Sequence, residues 1–193
     1  MTYKRADFSV KTSDDAIGGA IASAIFPLFG SLASSSMARD NGTKIIESTG
    51  IEDPAFTLVD VVQAKTVEKL NPASIRRVTN VEPQGPTFRN MDALRAAAKK
   101  GLVLEIATSY WRITYTSLGD SKYYVDYQGR ARLYDAESRK LLNESWCYFN
   151  SDNEPKTAPT FEKLLADNGA LLKKGLDEGM ATCGEELSTY LFE

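Results

Sequence analysis

Residues 123–150 read YYVDYQGRARLYDAESRKLLNESWCYFN, and this stretch decides the predicted fold. Apolar and polar residues alternate through its first half, as they do in a strand with one buried face. The apolar side holds Tyr123, Val125, Tyr127, Ala131 and Leu133, and the polar side holds Asp126, Gln128, Arg130 and Arg132. The polar run DAESRK at 135–140 then precedes a second apolar run. The pattern predicts an antiparallel hairpin whose polar side faces solvent.

Two further elements flank this hairpin. Residues 102–115, LVLEIATSYWRITY, are rich in β-branched and aromatic residues and predict a third strand. After the hairpin, apolar residues at helical spacing predict a long helix from about Phe161 towards Leu191. Its expected apolar face holds Phe161, Leu164, Leu165, Leu172, Leu176, Met180, Cys183, Leu187 and Tyr190.

A further helix is indicated upstream by its end signals. Asp53 is a suitable N-cap, and Pro54 suits the first helical position. Asn71 and Pro72 then end the helix. Together these elements predict one α+β domain spanning residues 1–193. We expect an antiparallel sheet of three to five strands, helices packed on one face, and a long C-terminal helix.

The N-terminal region contains an uncharged run at residues 16–38, AIGGAIASAIFPLFGSLASSSMA. Its apolar residues follow helical spacing beside a row of small residues, which favours a Gly/Ala-rich helix docked on another element. A subunit contact or membrane-touching element is the second interpretation, and a membrane span or targeting remnant is the third. Residues 1–15 are expected to form a flexible or anchoring segment.

The composition excludes several kinds of site. The 193 residues include no histidine and only two cysteines, so a His-dependent triad and a Cys/His zinc site are excluded. No phosphate-binding glycine motif is present. The net charge of −3, with dispersed basic residues, does not favour nucleic-acid binding. We therefore expect a protein that is not an enzyme, with no metal, no cofactor and no nucleic-acid partner.

The aromatic strands offer the best candidate for a binding surface. By strand alternation, Tyr110, Arg112, Tyr124 and Trp146 are expected to be exposed. Exposed aromatic rings can hold sugars, peptides or bases by stacking. Cross-strand packing within the sheet is the alternative interpretation of the same residues.

Cys147 and Cys183 are the only cysteines. They are either two buried thiols of a reducing compartment or one disulfide that ties the last helix to the sheet. Spacing leaves both interpretations open.

Five segments carry a resemblance to a known group of proteins. They are GIEDPA (50–55), LVLEIATSYWRITY (102–115), the stretch from Tyr123 to Phe149, APTFEKLLADNGALLKKGL (158–176) and CGEEL (183–187). In their order and content they resemble a family of bacterial envelope lipoproteins of unassigned function. The expected layout is also similar to the domains of accessory lipoproteins such as LpoB and the amino-terminal part of TolB.

The resemblance implies a disulfide between Cys147 and Cys183, whose positions match the group's pattern. It also implies a precursor with a signal peptide and a lipid-accepting cysteine near Met1. The expected location is the periplasmic face of the outer membrane, or the periplasm, with the membrane reached only through that lipid anchor.

Two functions are compatible with these features. The first is a non-catalytic, periplasm-facing lipoprotein that binds or braces a protein partner. The alternative is a subunit of an oligomeric envelope assembly, such as a secretion or export ring, that self-associates through the helix at 16–38. A soluble enzyme is the third, least favoured class.

Overall fold

The computed structural model describes residues 7–10, 35–72, 98–116, 122–151 and 157–192. In chain order their elements are β1 (Phe8–Val10), α1 (Ser35–Thr49), α2 (Ala55–Leu70), β2 (Leu102–Tyr115), β3 (Tyr123–Asp135), β4 (Leu141–Asn150) and α3 (Phe161–Leu191). The predicted α+β class and the long C-terminal helix are confirmed.

The four strands form one sheet in the order β1-β2-β3-β4. Strands β2, β3 and β4 are antiparallel, but β1 pairs with β2 in parallel, with Phe8 opposite Trp111. The sheet is therefore mixed, and the prediction of a purely antiparallel sheet is wrong. A parallel pair needs a long crossover connection, and the chain between Val10 and Leu102 provides one that carries α1 and α2. Strand β1 also places residues 8–10 of the expected flexible segment inside the sheet.

A β-bulge in β2 determines which side chains point towards the helices. Thr108 lies opposite Gly129 and Tyr110 lies opposite Gln128, so Ser109 is an extra residue without a partner on β3. One extra residue reverses the alternation of the side chains that follow it. Trp111 consequently points into the core, and the next residue points away from it.

The helices pack on one side of the sheet, which we call the inner face. Its core joins buried residues of the strands to the apolar sides of α2 and α3. They include Trp111, Ile113, Val125, Tyr127, Leu58, Val62, Leu172, Met180 and Leu187. Burying each such side chain stabilises the fold by roughly 1.5–3 kcal/mol before the entropy of folding is counted.

Helix α2 begins and ends at its predicted signals. Pro54 has helical dihedrals, and the Asp53 carboxylate accepts a hydrogen bond from the backbone N–H of Ala55 at 2.9 Å. Asn71 adopts the left-handed conformation, and its N–H donates to the Val67 carbonyl. The ends of α2 could be predicted from the sequence because the hydrogen bonds described here join residues that are close together in the chain.

The predicted helix from about Phe161 towards Leu191 is present as α3, but it is interrupted near its start. Ala166 is extended, and Asp167, Asn168 and Gly169 have positive φ. Asp, Asn and Gly are the residues that tolerate this conformation best, so the Asp-Asn-Gly sequence permits the break. At the other end, Tyr190 lies exposed and Leu191 occupies the buried position instead.

Two glycines of α3 allow neighbouring elements to approach closely. A Cβ atom at Gly179 would lie 2.7 Å from Cδ1 of Phe149 on β4. A Cβ atom at Gly184 would overlap Val61 of α2. The glycines lower the intrinsic helix propensity of this segment, but they allow α3 to pack closely against both the sheet and α2.

The predicted helix at 16–38 lies outside the described residues, apart from its last four, which open α1. No helix within the described residues combines the length and the apolarity that crossing a membrane requires.

Candidate functional site

The side of the sheet opposite the helices, here called the outer face, carries the predicted binding residues. Its residues lie in rows across the three long strands. The rows are Tyr110–Gln128–Tyr148, Arg112–Asp126–Asn150, Thr114–Tyr124, Ala107–Arg130–Trp146 and Glu105–Arg132–Glu144. The structure therefore brings Tyr110, Arg112, Tyr124 and Trp146 onto one surface.

Three of these four predicted residues form a half-buried group around Asp126. The Arg112 Nε–H donates to the Asp126 carboxylate at 2.6 Å, and the guanidinium lies 4.4 Å from the centre of the Tyr110 ring. Burial and the negative charge of Asp126 raise the pKa of Tyr110 and of Tyr124 above the ordinary value. This group is held rigidly by its own contacts, so it forms a preorganised surface.

Trp146 and Tyr148 on β4 are the most exposed aromatic residues of the outer face. Their relative exposures are 41% and 65%. The Arg130 guanidinium lies 5.3 Å from the centre of the Trp146 ring. The sequence prediction included Trp146 but missed Tyr148. The signal was available, because Tyr148 lies two residues further along the same strand and therefore on the same face.

A cluster of paired charges, which the sequence prediction also missed, adjoins these aromatics. The polar side of the hairpin was expected to be solvated, but Arg132 is only 3% exposed. Its Nε–H donates to Glu144 at 2.6 Å, and its Nη1 atom lies 4.0 Å from Glu105. Arg130 lies 3.5 Å from Glu105 and 3.9 Å from Glu144. Two arginines and two glutamates thus share one buried site.

The cluster also contacts Tyr134 and shifts the pKa values of Tyr134 and Arg132. The Tyr134 hydroxyl donates to Glu105 at 3.1 Å. Burial, together with the charge of Glu105, raises the pKa of Tyr134 to about 12. Burial alone would lower the pKa of Arg132, but its hydrogen bond to Glu144 and the surrounding negative charges raise it instead.

The charges of the outer face balance. Glu105 and Glu144 offset Arg130 and Arg132, and Asp126 offsets Arg112. A neutral face of this kind has no net charge with which to attract phosphate or a metal ion. It offers aromatic rings and hydrogen-bonding groups, which suit a partner that is itself apolar and neutral at the contact.

Strand β4 is an edge of the described sheet, and its backbone is part of the candidate site. The Ser151 N–H donates to the Val125 carbonyl at 3.0 Å. In an antiparallel pair of strands, alternate residues direct their backbone N–H and C=O groups towards the partner strand. Because Ser151 is bonded to β3, Phe149 and Cys147 direct theirs towards β3 as well. The N–H and C=O groups of Trp146 and Tyr148 then point outward, where no described strand pairs with them. The outward N–H of Glu144 donates to the side-chain oxygen of Asn143 at 2.9 Å.

A small concavity lies on the helix side of the sheet, between β1 and α1. It holds about 180 Å³ and is lined by Asp53, Trp111, Arg39 and Asp7 among others. This is below the roughly 300–1,000 Å³ of a typical small-molecule site. Asp53 is occupied in capping α2 and accepting a hydrogen bond from Thr108 at 2.6 Å, so this region has a structural role.

The predicted disulfide is confirmed. Cys147 on the inner face of β4 is bonded to Cys183 on α3, with Cα atoms 5.3 Å apart. Both residues are fully buried. The bond holds the edge strand against the last helix and so fixes the position of Trp146 and Tyr148 beside it.

Among the described residues, no group of three or more acidic or cysteine side chains is arranged to hold a metal ion. Comparison of the chain with protein-family models, curated proteins and solved structures found no match.

Proposed function

We propose that this protein is a non-catalytic, periplasm-facing envelope lipoprotein that binds or braces a protein partner through the outer face and the adjoining edge of β4. An N-terminal lipid would anchor it to the periplasmic face of the outer membrane. This assignment of compartment and anchor follows from the sequence resemblance described above, and three features of the molecule support the proposal.

The first and main support is the concentration of exposed apolar side chains on β4. Leu141, Leu142, Trp146 and Tyr148 are all exposed on this one strand of ten residues. Large apolar side chains that cluster on a surface are typical of interaction sites, whereas isolated ones are common on any protein. Trp and Tyr are also the residue types that contribute most to binding at protein interfaces.

The second support is the disulfide. Disulfides form and persist in oxidising compartments such as the bacterial periplasm, and they are rare in the cytosol. A buried bond between two fixed elements suits an exported protein that must stay folded without chaperones of the cytosol.

The third support is the pairing of the charged groups. General acid–base catalysis needs a titratable group that reaches the substrate and changes charge near neutral pH. The half-buried carboxylates Glu105 and Glu144 are instead bound to arginines. A bracing role requires such a rigid, neutral surface, because preorganisation lowers the entropic cost of association.

The test is site-specific photo-crosslinking in the cells that produce the protein. A photoreactive amino acid at Tyr148 or Tyr110 should give a discrete adduct with one envelope protein. The same residue at Thr182, exposed on α3, should give none. Equal labelling at all three positions, or no adduct at the first two, would refute the outer face as the binding surface.

The compartment is tested separately. We expect the precursor to carry a signal peptide and a lipid-accepting cysteine, and the mature protein to fractionate with the outer membrane. A precursor that starts at Met1, with the protein in the cytosol, would overturn the location. The alternative, a ring subunit that uses residues 16–38, predicts instead that deleting this segment abolishes a large assembly.

A further inference from the structure

We infer that Asn168, in the break of α3, is a site of spontaneous deamidation, and that its conversion to an isoaspartyl residue loosens the contact between α3 and α1. The reaction needs only water and hydroxide. The inference therefore goes beyond the proposed function and depends on neither a partner nor a compartment.

The sequence supplies two dipeptides with the required chemistry, Asn41–Gly42 and Asn168–Gly169. Glycine has no side chain to hinder attack by its own backbone nitrogen. This nitrogen loses its proton to hydroxide and forms a bond to the Cγ atom of the asparagine. The bond from Cγ to the side-chain nitrogen breaks, and ammonia leaves after taking a proton from water. Water then opens the succinimide ring at either carbonyl, which gives an aspartyl or an isoaspartyl residue.

The backbone at Asn168 is one peptide rotation away from the geometry of this attack. Ring closure needs the Gly169 nitrogen on the same side of the Cα–C bond as the Asn168 Cβ atom. The φ/ψ values are 56°/37° at Asn168 and 73°/33° at Gly169, close to those of the central residues of a type I′ turn. Rotating the peptide unit between them gives a type II′ turn, in which the nitrogen lies on the Cβ side. The neighbouring Cα atoms stay in place during this rotation.

Exposure and packing separate the two dipeptides. The Asn168 side chain is exposed, so water and hydroxide reach its amide. Asn41 is only 5% exposed and lies inside α1. In a regular helix the N–H of Gly42 is bonded to the carbonyl four residues earlier, and a Cβ atom at Gly42 would overlap the Phe8 carbonyl of β1. Ring closure at Asn41 therefore requires local opening of α1.

The isoaspartyl product changes the packing of the break. Its main chain runs through the former side chain, which adds a backbone carbon between residues 168 and 169. Gly169 is buried, and a Cβ atom there would lie 2.8 Å from Cγ2 of Thr49 on α1. Because a contact this close leaves little room for a longer backbone, the isoaspartyl form should pack less well against α1.

The first test incubates the purified, oxidised full chain in mildly alkaline buffer and analyses tryptic peptides by chromatography and mass spectrometry. Asn168 falls in peptide 164–173 and Asn41 in peptide 40–44. Peptide 164–173 should gain the mass difference between a hydroxyl and an amino group and resolve into aspartyl and isoaspartyl forms. In the folded protein its reaction should be at least about tenfold faster than that of peptide 40–44, because α1 must open first. A digest without incubation corrects for deamidation during digestion.

Incubation in denaturant is the control for the role of the fold, and it should remove the difference between the two peptides. Equal rates in the folded protein, or a faster rate at Asn41, would overturn the assignment of the site. So would a peptide 164–173 that stays intact in the folded protein.

The second test compares the deamidated protein, separated by ion exchange, with the variant Asn168→Asp. The variant carries the same added charge without the extra backbone carbon. The deamidated protein should unfold at a lower denaturant concentration than Asn168→Asp. Equal midpoints for the two proteins would overturn the loosening of the contact between α3 and α1.

Discussion

Cys147 and Cys183 join the edge strand β4 to helix α3 through a bond that closes a 36-residue separation in the chain. Between them lies the break in α3 at residues 166–169. The cross-link therefore ties the edge strand to the part of α3 that follows this break. In the unfolded chain it removes many conformations, which is the main way a disulfide stabilises the folded state.

The double variant Cys147→Ala/Cys183→Ala should accordingly be less stable than the wild type by roughly 3–4 kcal/mol, as expected for a loop of this length. Denaturant titration of both proteins measures the difference. Reduced wild-type protein should match the double variant. A count of two free thiols in unreduced, unfolded wild-type protein would contradict the bond itself.

The buried charge cluster should be sensitive to the loss of a single charge. Glu105→Gln preserves shape but leaves Arg130 and Arg132 with only one carboxylate, so the free energy of unfolding should fall by about 2–4 kcal/mol. Glu185→Gln is the matched control, because Glu185 pairs with Lys65 at the surface. Its cost should be far smaller, because water screens the charges of an exposed pair. Similar costs for both variants would show that the cluster is hydrated.

Gly184 should resist replacement even by alanine. In an exposed helix this change stabilises by up to about 1 kcal/mol. Here the new methyl group would overlap Val61, whose β-branched side chain cannot rotate away easily within α2. We expect a net loss of about 1–3 kcal/mol. Thr182→Ala, an exposed position on the same helix, should be neutral or slightly stabilising, and thermal unfolding distinguishes the two. A stabilised Gly184→Ala protein would mean that α2 and α3 pack less closely.

Alkaline pH should weaken the fold through Tyr134. Its folded-state pKa of about 12 exceeds the ordinary value of 10.0, so the neutral hydroxyl is favoured in the folded protein. The corresponding stability is fully present below pH 10 and is lost as the pH rises from 10 to 12. Over that range wild-type stability should fall more steeply than that of Tyr134→Phe, by up to about 1.4 kcal/mol per pH unit. Parallel stability curves for the two proteins would contradict the raised pKa.

The alternation of residues along the strands predicted which side chains share the outer face, but it did not predict the buried charge cluster there. Alternation predicted that Tyr110, Arg112, Tyr124 and Trp146 are exposed. The structure places all four on the outer face, where Trp146 is exposed and the other three are half-buried. It could not show that Arg132 is buried, because the burial depends on carboxylates from two other strands. That these residues bind a partner stays a prediction.

The local signals of the chain determined much of the fold by themselves. Alternation, the turn at 135–140 and the ends of α2 depend on neighbouring residues, so the sequence alone identified the hairpin and this helix. The parallel pairing of β1 and the bulge at Ser109 were decided only by the tertiary structure, as was the choice between two thiols and one disulfide that the spacing of Cys147 and Cys183 had left open. Each joins residues far apart in the chain, and a three-residue strand such as β1 carries too little pattern to be recognised. Such a strand becomes stable only when β2 supplies its hydrogen bonds and α1 covers its apolar side.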